Sequence, residues 1–303
     1  MTPGVLILAG PTASGKTVLA VELAKRFDAE IVGADSRQIY RGMPVGTAAP
    51  SADELRAVPH HLIGFLDPQE RYSAGAFVRD ALAAIDTIHA RGKRAIVAGG
   101  TGFYIRALSG DVGLAGERDE TMRARLAREA LLHPPEVMHE WLAALDAHRA
   151  AALHPGDRYR VMRALEVALA QRAGSTPAAD ISRETLRTRG IPFVKAYLDV
   201  PFAELEPRIA ERVDRMIRAG LVEEAEGLGT SAVAADAVGY PQALAYVRGF
   251  SSPSELHAQL VRATRRYAKR QAAWFRSEPG VTRIAGNLPE GLAAVARTIP
   301  GWA

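Results

Sequence analysis

Cysteine is absent from all 303 residues of the sequence. Disulfide bonds, zinc–thiolate centres and catalytic thiols are therefore excluded. No apolar stretch approaches the roughly 20 residues that a membrane-spanning helix needs. The first residues, MTPGVLILAGP, lack the basic segment and the length of a signal peptide. These absences predict a cytoplasmic protein that does not associate with a membrane.

Motifs for a protein-held metal are also lacking. The eight histidines include no His-Glu-x-x-His spacing, so we expect no histidine-based metal centre. Charge is a weaker guide, because the net charge is only +4 although the sequence pI is about 9.5. That balance permits an anionic partner without requiring one.

Apolar runs at intervals along the chain predict a parallel sheet flanked by helices. Three runs are predicted as buried strands, at Val5–Ala9, Glu30–Ala34 and Arg94–Gly99, and His61–Leu66 is a fourth candidate. Helical patterns at Lys16–Phe27 and Ser73–Arg91 alternate with them. Such alternation is typical of a doubly wound α/β core.

A helical insertion domain is predicted to interrupt this core. From Glu117 to Arg172 no strand pattern occurs, and helical periodicity breaks only at two proline-containing segments, His133–Pro135 and His154–Gly156. Strand character returns at Pro192–Val200 after a loop-rich stretch. We therefore expect a core from residues 1–112 and 191–303, with an insert at 113–190 and a basic helical region near the C-terminus.

The segment GPTASGKT directly follows the first predicted strand and opens a helix. In that context the Gly-x-x-x-x-Gly-Lys-Thr pattern forms a phosphate cradle, in which backbone N–H groups and a lysine surround a diphosphate. The predicted diphosphate-binding residues are Gly10, Pro11, Thr12, Ala13, Ser14, Gly15, Lys16 and Thr17. The hydroxyl of Thr17 is the expected ligand of Mg²⁺.

Two parts of an ordinary nucleotide triphosphatase are missing. The strand RAIVAG ends in Gly99-Gly100-Thr101 without a carboxylate, and no Asn-Lys-x-Asp base reader occurs. The acid that does follow a strand is Asp35. The cradle is thus accompanied by one carboxylate and by none of the usual nucleotide-reading residues.

Further motifs accompany the cradle in a fixed order. They are ADSRQIYRGMPVGTA, PHHLIGFLDP, YSAGAFVRDA, VAGGTGFYIRAL, LHPGDRYRVMRALEV, AVGY and ATRRYAKRQAAWFR. Together these segments, spread over nearly the whole chain, resemble the tRNA dimethylallyltransferase family, the bacterial tRNA isopentenyltransferases. The resemblance implies a P-loop α/β core with an inserted helical domain, which agrees with the pattern above.

The resemblance also implies an activity. The expected reaction transfers a dimethylallyl group from dimethylallyl diphosphate to N6 of the adenosine 3′-adjacent to the anticodon, with Mg²⁺ as cofactor and a monomer as the active form. The implied catalytic residues are Asp35, Thr101, Lys16 and Arg212. Asp35 would act as the base, or would instead cap a helix or join the Mg²⁺ shell. Thr101 would donate to the bridging oxygen, or would only cap the following helix. Arg212 would contact the diphosphate, or would be a solvated surface arginine.

By the same resemblance, a set of residues is expected to contact the tRNA anticodon stem-loop. These are Asp35, Ser36, Arg37, Gln38, Thr101, Arg123, Tyr159, Arg160, Val161, Met162, Arg163, Val238, Gly239, Tyr240, Lys269, Arg270, Gln271, Trp274 and Arg276. Arg37 could instead pack at the rim of the core, as could Tyr40, and Tyr240 could stack on a base or fill the core. The family often has a basic residue after Val-Gly-Tyr, whereas this chain has Pro241.

A pattern in the residues themselves supports RNA binding. Helical spacing places six cations on one stripe: Arg262, Arg265, Arg266, Lys269, Arg270 and Arg276. No acid occurs between Glu255 and Glu278, so these cations have no carboxylate partner within the helix. A one-sided stripe of this kind favours contact with phosphates.

Three competing functions remain open from the sequence. They are a P-loop kinase with ATP in the cradle, a prenyltransferase for free adenine nucleotides, and a non-enzymatic RNA-binding scaffold. The helical insert and the basic helix argue against a mononucleotide substrate. The intact pair of Lys16 and Thr17, together with Asp35, argues against a scaffold.

Overall fold

Six parallel strands form one sheet in the computed structural model, which describes residues 3–114, 119–174, 184–230, 232–285 and 289–302. The strands are β1 Val5–Ala9, β2 Ala29–Gly33, β3 His60–His61, β4 Arg94–Gly99, β5 Phe193–Asp199 and β6 Val281–Ala285. Their order across the sheet is β3-β2-β4-β1-β5-β6. The predicted α/β fold class is therefore confirmed.

The order of the strands brings the predicted site residues to one edge of the sheet. β4 pairs with both β1 and β2, so the carboxyl ends of these three strands are neighbours. The loops that follow them carry the cradle, Asp35 and Thr101. In a parallel sheet this edge is where ligands bind.

Helices cover both faces of the sheet and form the insert. They are α1 Lys16–Arg26, α2 Pro44–Thr47, α3 Ala52–Ala57, α4 Ala74–Ala90, α5 Gly102–Ser109, α6 Glu120–Leu132, α7 Pro135–Leu145, α8 Ala147–Ala151, α9 Arg158–Arg172, α10 Phe202–Arg218, α11 Leu221–Leu228, α12 Tyr240–Val247, α13 Pro253–Arg276 and α14 Pro289–Arg297. A short 3₁₀ helix, Val233–Asp236, precedes α12.

The core is built from the apolar runs seen in the sequence. Every residue of β1 is buried, because strands pack on both of its sides and helices cover both of its faces. On one face Leu6 and Leu8 belong to a cluster that includes Leu19 of α1 and the fully buried Trp302. This packing anchors β1 and α1, the two elements that the phosphate cradle joins.

The predicted fourth strand is mostly wrong. Only His60–His61 pairs with β2, and the backbone then turns through a left-handed conformation at Leu62 (φ 59°). Leu66 returns to form an isolated bridge with Tyr40. The apolar run at 61–66 therefore packs as a loop, because a positive φ ends strand geometry at Leu62.

The chain separates into two compact units, Met1–Val112 with Glu184–Ala303, and Gly113–Arg183. Within the second unit, α6 to α9 pack around a cluster that includes Leu126, Leu142 and Leu165. The predicted helical breaks at His133–Pro135 and His154–Gly156 are confirmed, but they are not the only ones in the described part of the insert, because Asp146 separates α7 from α8. Glu117, where the helical stretch was expected to begin, lies outside the described residues.

The stretch after the insert belongs with the larger unit. The N–H of Leu186 donates to the carbonyl of Leu108 at 2.9 Å, and the side chain of Arg187 pairs with Asp111 at 2.7 Å. Residues 184–190, assigned to the insert from the sequence, therefore pack against the core. The remainder of the predicted loop, residues 175–183, lies outside the described residues.

Candidate active site

The phosphate cradle connects β1 to α1 through two left-handed residues. Ala13 has a φ of 64° and Gly15, the residue before α1, has a φ of 84°. In this conformation the N–H groups of Ala13, Gly15 and Lys16 make no hydrogen bond to another described residue. They are the unsatisfied donors of a helix N-terminus, a position that favours an anion.

A buried hydroxyl in the cradle also lacks a partner. Ser14 is fully buried, and its Oγ has no hydrogen-bond partner among the residues described. A buried hydroxyl normally makes a hydrogen bond, because leaving it unpaired costs free energy. An oxygen of a bound diphosphate would supply that partner.

The surroundings of Lys16 disfavour the charged form of its side chain. Among the residues described, the hydrogen bond of its ammonium group is a long one, 3.4 Å to the carbonyl of Pro11. Burial lowers the pKa of Lys16 to about 8, the nearby carboxylate of Asp35 opposes this shift, and the guanidinium of Arg212 adds to it. A diphosphate that binds beside Lys16 would stabilise its charged form, because the negative charge offsets the cost of burying the ammonium group.

Asp35 follows β2 and is fixed by a local turn. Its Oδ1 accepts a hydrogen bond from the backbone N–H of Arg37 at 2.9 Å. No ion-pair partner of its carboxylate lies within 4 Å in the described part of the chain. The carboxylate interacts electrostatically with Lys16 and Arg212, so the cradle and the candidate base share one charged site.

Thr101 precedes α5 but does not cap it with its side chain. Its Oγ1 accepts a hydrogen bond from the backbone N–H of Ser36 at 2.9 Å and lies 3.4 Å from the hydroxyl of Ser36. The alternative of a simple helix cap is therefore wrong. The threonine joins the loop after β4 to the residue that follows Asp35.

Two glycines allow these loops to approach one another. A Cβ on Gly99 would lie 2.1 Å from the backbone oxygen of Ala34, and a Cβ on Gly100 would lie 2.2 Å from Nε2 of Gln271. Either contact is far too short, so a larger residue at position 99 would force the backbones after β4 and β2 apart, and one at position 100 would displace the amide of Gln271. The Gly-Gly-Thr sequence thus sets the width of the site.

Gln271 of α13 bridges the two loops. Its Oε1 accepts from the backbone N–H of Thr12 at 2.8 Å, and its Nε2 donates to the carbonyl of Gly100 at 3.0 Å. The side chain is buried and both ends of its amide are occupied, and its contact with tRNA stays a prediction. The side chain positions the cradle relative to Thr101.

Arg212 of α10 reaches the same site. Its NH2 donates to the carbonyl of Thr47 at 3.3 Å, while its Nε is buried without a partner among the described residues. Burial lowers the pKa of Arg212, and Asp35 opposes this shift. The alternative of a solvated surface arginine is therefore wrong, because the guanidinium group is buried. Its Nε needs a hydrogen-bond acceptor, which a bound anion could supply.

Arg37 and Gln38, which follow Asp35, form an ion pair and hydrogen bonds with other parts of the chain. Arg37 pairs with Asp236 at 2.8 Å, and Gln38 donates from Nε2 to the carbonyls of Thr47 (3.2 Å) and Ala48 (3.0 Å). Tyr40 is buried, which selects the core alternative for it. Arg37 keeps a third of its side chain exposed and lies at the surface of the site.

Tyr240 fills the core and cannot stack on a base in this conformation. Its ring is fully buried, and its hydroxyl donates to Oε1 of Glu224 at 2.7 Å. The same carboxylate accepts from the backbone N–H groups of Val45 (2.8 Å) and Gly46 (2.7 Å). This conformation favours the core alternative for Tyr240, and its contact with tRNA stays a prediction. Val238 is half-buried, and Gly239, with a φ of 108°, is the residue before α12.

The cationic stripe on α13 is exposed, with one exception. Arg262, Arg266, Lys269, Arg270 and Arg276 are exposed, whereas Arg265 is partly buried and pairs with Glu206 of α10. Glu206 lies in a distant part of the sequence, so helical spacing within α13 does not predict this ion pair. Lys269 also lies 4.7 Å from the ring of Phe202, and half-buried Trp274 lies beneath Arg106 at 4.4 Å.

The arginines of the insert are paired locally. Arg123 lies 3.5 Å from Glu120, Arg160 lies 3.3 Å from Asp157, and Arg163 pairs with Glu166 at 2.6 Å. Tyr159 is exposed and Met162 is half-buried. Val161 is buried in the core of the insert, and its contact with tRNA stays a prediction.

Comparison with known proteins gives the family. A family model described as IPP transferase matches residues 38–278. This chain belongs to the IPP transferase family. It is 45% identical over 293 residues to the tRNA dimethylallyltransferase of Anaeromyxobacter dehalogenans, covering 95% of this chain and 97% of that protein. It is also 42% identical over 283 residues to the tRNA dimethylallyltransferase of Geobacter sulfurreducens, covering 91% of this chain and 90% of that protein.

A solved structure of the IPP transferase family is also similar. The full-length tRNA isopentenylpyrophosphate transferase from Bacillus halodurans is 34% identical, with a TM-score of 0.68, over 97% of this chain and 94% of that chain. No helix in the described ranges is long and apolar enough to cross a membrane.

Two residues of this IPP transferase site were not singled out for the roles the structure gives them. The family resemblance implies a tRNA contact for Gln271, and the sequence gives no prediction for Glu224. Both act on backbone groups more than 170 positions away in sequence, a relation that no local pattern reports. Among the residues described, no group of three His, Asp or Glu side chains could by itself hold a metal ion.

Proposed function

We propose that this protein transfers a dimethylallyl group from dimethylallyl diphosphate to N6 of the adenosine 3′-adjacent to the anticodon of tRNA. The products are N6-(dimethylallyl)adenosine and diphosphate. The observation that carries the proposal is the meeting of a phosphate cradle with the carboxylate of Asp35 at one sheet edge. Relatives named tRNA dimethylallyltransferase, matched over nearly their full length, support it.

The cradle would hold the diphosphate and stabilise it as it departs. The N–H groups of Ala13, Gly15 and Lys16 are available, and the hydroxyl of Ser14 has no partner in the described structure. Lys16 and Arg212 add positive charge in a poorly hydrated site, where such charge acts strongly on a developing anion. The same groups weaken the allylic C–O bond, since they stabilise its leaving group.

Asp35 would remove a proton from the attacking amine. The lone pair of the adenine N6 amine is delocalised into the ring, so the amine is a weak nucleophile until its proton is taken. With Oδ1 held by the N–H of Arg37, the carboxylate has a fixed orientation and no neutralising ion pair among the described residues. A positioned base of this kind contributes about 10²- to 10⁴-fold in rate.

Thr101 would act on the bridging oxygen of the diphosphate. Its Oγ1 accepts the N–H of Ser36 at 2.9 Å, and the acceptor for its own proton, Ser36 Oγ, is 3.4 Å away. A hydroxyl with a long contact to its acceptor can turn its proton to a better one, such as the bridging oxygen. Gly99 allows the loop that carries Thr101 to approach Ala34, the residue before Asp35.

The residues present fit Mg²⁺ together with a diphosphate. Mg²⁺ is usually bound by one or two protein oxygens plus substrate phosphates, and no all-protein cage is required. Thr17, in the first turn of α1 beside Lys16, would supply the protein hydroxyl. When bound, the ion neutralises charge on the diphosphate oxygens. Asp35 remains the group that takes the amine proton.

RNA binding would extend outward from Asp35. The target adenine must leave its stack before N6 can reach the carboxylate. Ser36, Arg37 and Gln38 adjoin Asp35 and would contact the extruded base and its neighbours. Exposed cations of α13 would bind phosphates of the anticodon stem-loop. Arginines of the insert, considered on their own, offer a second set of phosphate contacts.

We further propose that the protein acts in the cytoplasm as a monomer, because every residue assigned to the chemistry belongs to one chain. The test is incubation with labelled dimethylallyl diphosphate and unmodified tRNA, followed by nucleoside analysis. The proposal predicts label in N6-(dimethylallyl)adenosine. Phosphoryl transfer from ATP in place of this product would establish the kinase alternative, and labelling of free adenine nucleotides would establish the mononucleotide alternative.

A further inference from the structure

A groove of about 570 Å³ lies on the surface between the 3₁₀ helix Val233–Asp236 and α12. Its size falls within the roughly 300 to 1,000 Å³ of sites that hold small ligands. Its lining includes Arg71, Arg248 and Phe250, and no residue of the phosphate cradle. It is therefore a separate feature of the same unit.

The groove has an excess of positive charge. Arg71 and Arg248 are both exposed, and neither pairs with a carboxylate among the described residues. The acid in the lining, Asp236, is paired with Arg37 at 2.8 Å. Two guanidinium groups are thus left to bind an anion, and the planar fork of a guanidinium matches a phosphate.

An exposed aromatic ring stands beside these arginines. α12 ends in two backbone bonds, from Gly249 N–H to the carbonyl of Tyr246 and from Phe250 N–H to the carbonyl of Ala245, both at 2.9 Å. The residue at the position of Phe250 in this helix ending normally packs back on the helix. Phe250 instead leaves 78% of its surface exposed. The turn therefore presents the ring to solvent from a fixed backbone.

The groove is continuous with the surface proposed to contact RNA. Asp236 joins it to Arg37, two residues after Asp35. Pro241 also lines the groove. The side chain of Pro241 cannot bind a phosphate, whereas the arginines of the groove can.

We propose that this groove binds one unpaired nucleotide of the RNA substrate, next to the adenosine that is modified. Arg71 and Arg248 hold its phosphates, and its base stacks on Phe250. Phosphate and a flat base are the two groups that a pair of free guanidinium groups and an exposed ring recognise together. The inference rests on the proposed function, because it takes tRNA as the ligand.

The test measures the affinity of the full-length protein for unmodified tRNA at several salt concentrations. Each neutralised phosphate of a single strand contributes about 0.7 to the slope of log affinity against log salt. The double variant with Arg71→Ala and Arg248→Ala is therefore expected to lower that slope by about 1.4. Arg297→Ala is the matched control, because Arg297 is an exposed arginine without an ion pair in the described structure and lies in α14.

Phe250 provides a readout that does not depend on charge. Phe250→Ala is expected to weaken tRNA binding by at least about fivefold, the lower limit for loss of a stacked base. Phe250→Trp should retain the affinity, because it keeps a flat aromatic face. Affinity for dimethylallyl diphosphate alone should be retained by all groove variants, which shows that they are folded.

The outcomes separate the groove from the proposed function. The groove assignment would be overturned if the arginine double variant kept the wild-type salt slope of tRNA binding, or if Phe250→Ala bound tRNA as tightly as the wild-type protein. Prenylation of tRNA by the wild-type protein would still support the proposed function in that case. If the wild-type protein forms no prenylated nucleoside and binds no tRNA, both the function and the groove assignment fail.

Discussion

Binding of dimethylallyl diphosphate should depend on pH in the range where Lys16 titrates. The pKa of Lys16 lies at about 8 because the site is poorly hydrated and Arg212 is near. A bound diphosphate places negative charge against the ammonium group and raises this pKa. Linkage then requires proton uptake on binding, and affinity falls as pH rises above 8.

The magnitude follows from the fraction of Lys16 that is protonated. With a pKa of about 8 the fraction changes from about nine-tenths at pH 7 to one-tenth at pH 9, so affinity should fall about tenfold, or about 1.4 kcal/mol. A lysine with its ordinary pKa of about 10.4 would stay charged across this range.

Calorimetric titration at pH 7, 8 and 9, in buffers with different ionisation enthalpies, measures both the affinity and the proton uptake. Lys16→Arg is the matched control, since a guanidinium does not titrate in this range and its affinity should be nearly independent of pH. Equal wild-type affinities at pH 7 and 9, without proton uptake, would refute the electrostatic reasoning.

Three other variants test other parts of the site. Gln271→Leu leaves the buried N–H of Thr12 and the buried carbonyl of Gly100 without a partner, so the free energy of unfolding should fall by about 2 to 5 kcal/mol. The affinity for diphosphate should fall with it. Denaturant unfolding measures the change in stability, and Gln171→Leu, at an exposed position of α9, is the control. Replacing Lys269 and Arg270 together by Ala should reduce the salt slope of tRNA binding by about 2 without changing diphosphate affinity; an unchanged slope would remove them from the interface. Tyr240→Phe should cost about 1.5 to 3 kcal/mol of stability through loss of a hydrogen bond to a carboxylate, while a specific loss of tRNA affinity in the folded variant would show that the ring contacts RNA after all.

Local patterns were enough to predict the core of this fold. β1 and β4 have the predicted bounds, and α1 begins at the predicted Lys16, because buried parallel strands are continuous apolar runs and the cradle marks a helix start. The run at 61–66 was misread as a strand, because periodicity does not reveal the left-handed turn at Leu62. β6 was not predicted, since it is mostly exposed and is therefore not a continuous apolar run.

The motifs located the candidate site, but the partners of its residues came only from the structure. Sequence placed Asp35 and Thr101 after neighbouring strands, yet it could not show that Thr101 bonds to Ser36 and leaves its helix uncapped. The basic stripe was predicted from spacing, whereas the pairing of Arg265 with Glu206 depends on the packing of α13 against α10. Contacts between distant segments are set by tertiary packing, which helical spacing does not encode.

The most direct test of the central claim is a single-turnover measurement with labelled dimethylallyl diphosphate and unmodified tRNA, comparing wild type, Asp35→Asn and Asp53→Asn. Asp53 is an exposed carboxylate on α3 and serves as the control. Formation of N6-(dimethylallyl)adenosine should be about 10²- to 10⁴-fold slower for Asp35→Asn, with diphosphate binding retained, and unchanged for Asp53→Asn. Equal rates for wild type and Asp35→Asn would contradict the assignment of Asp35 as the base.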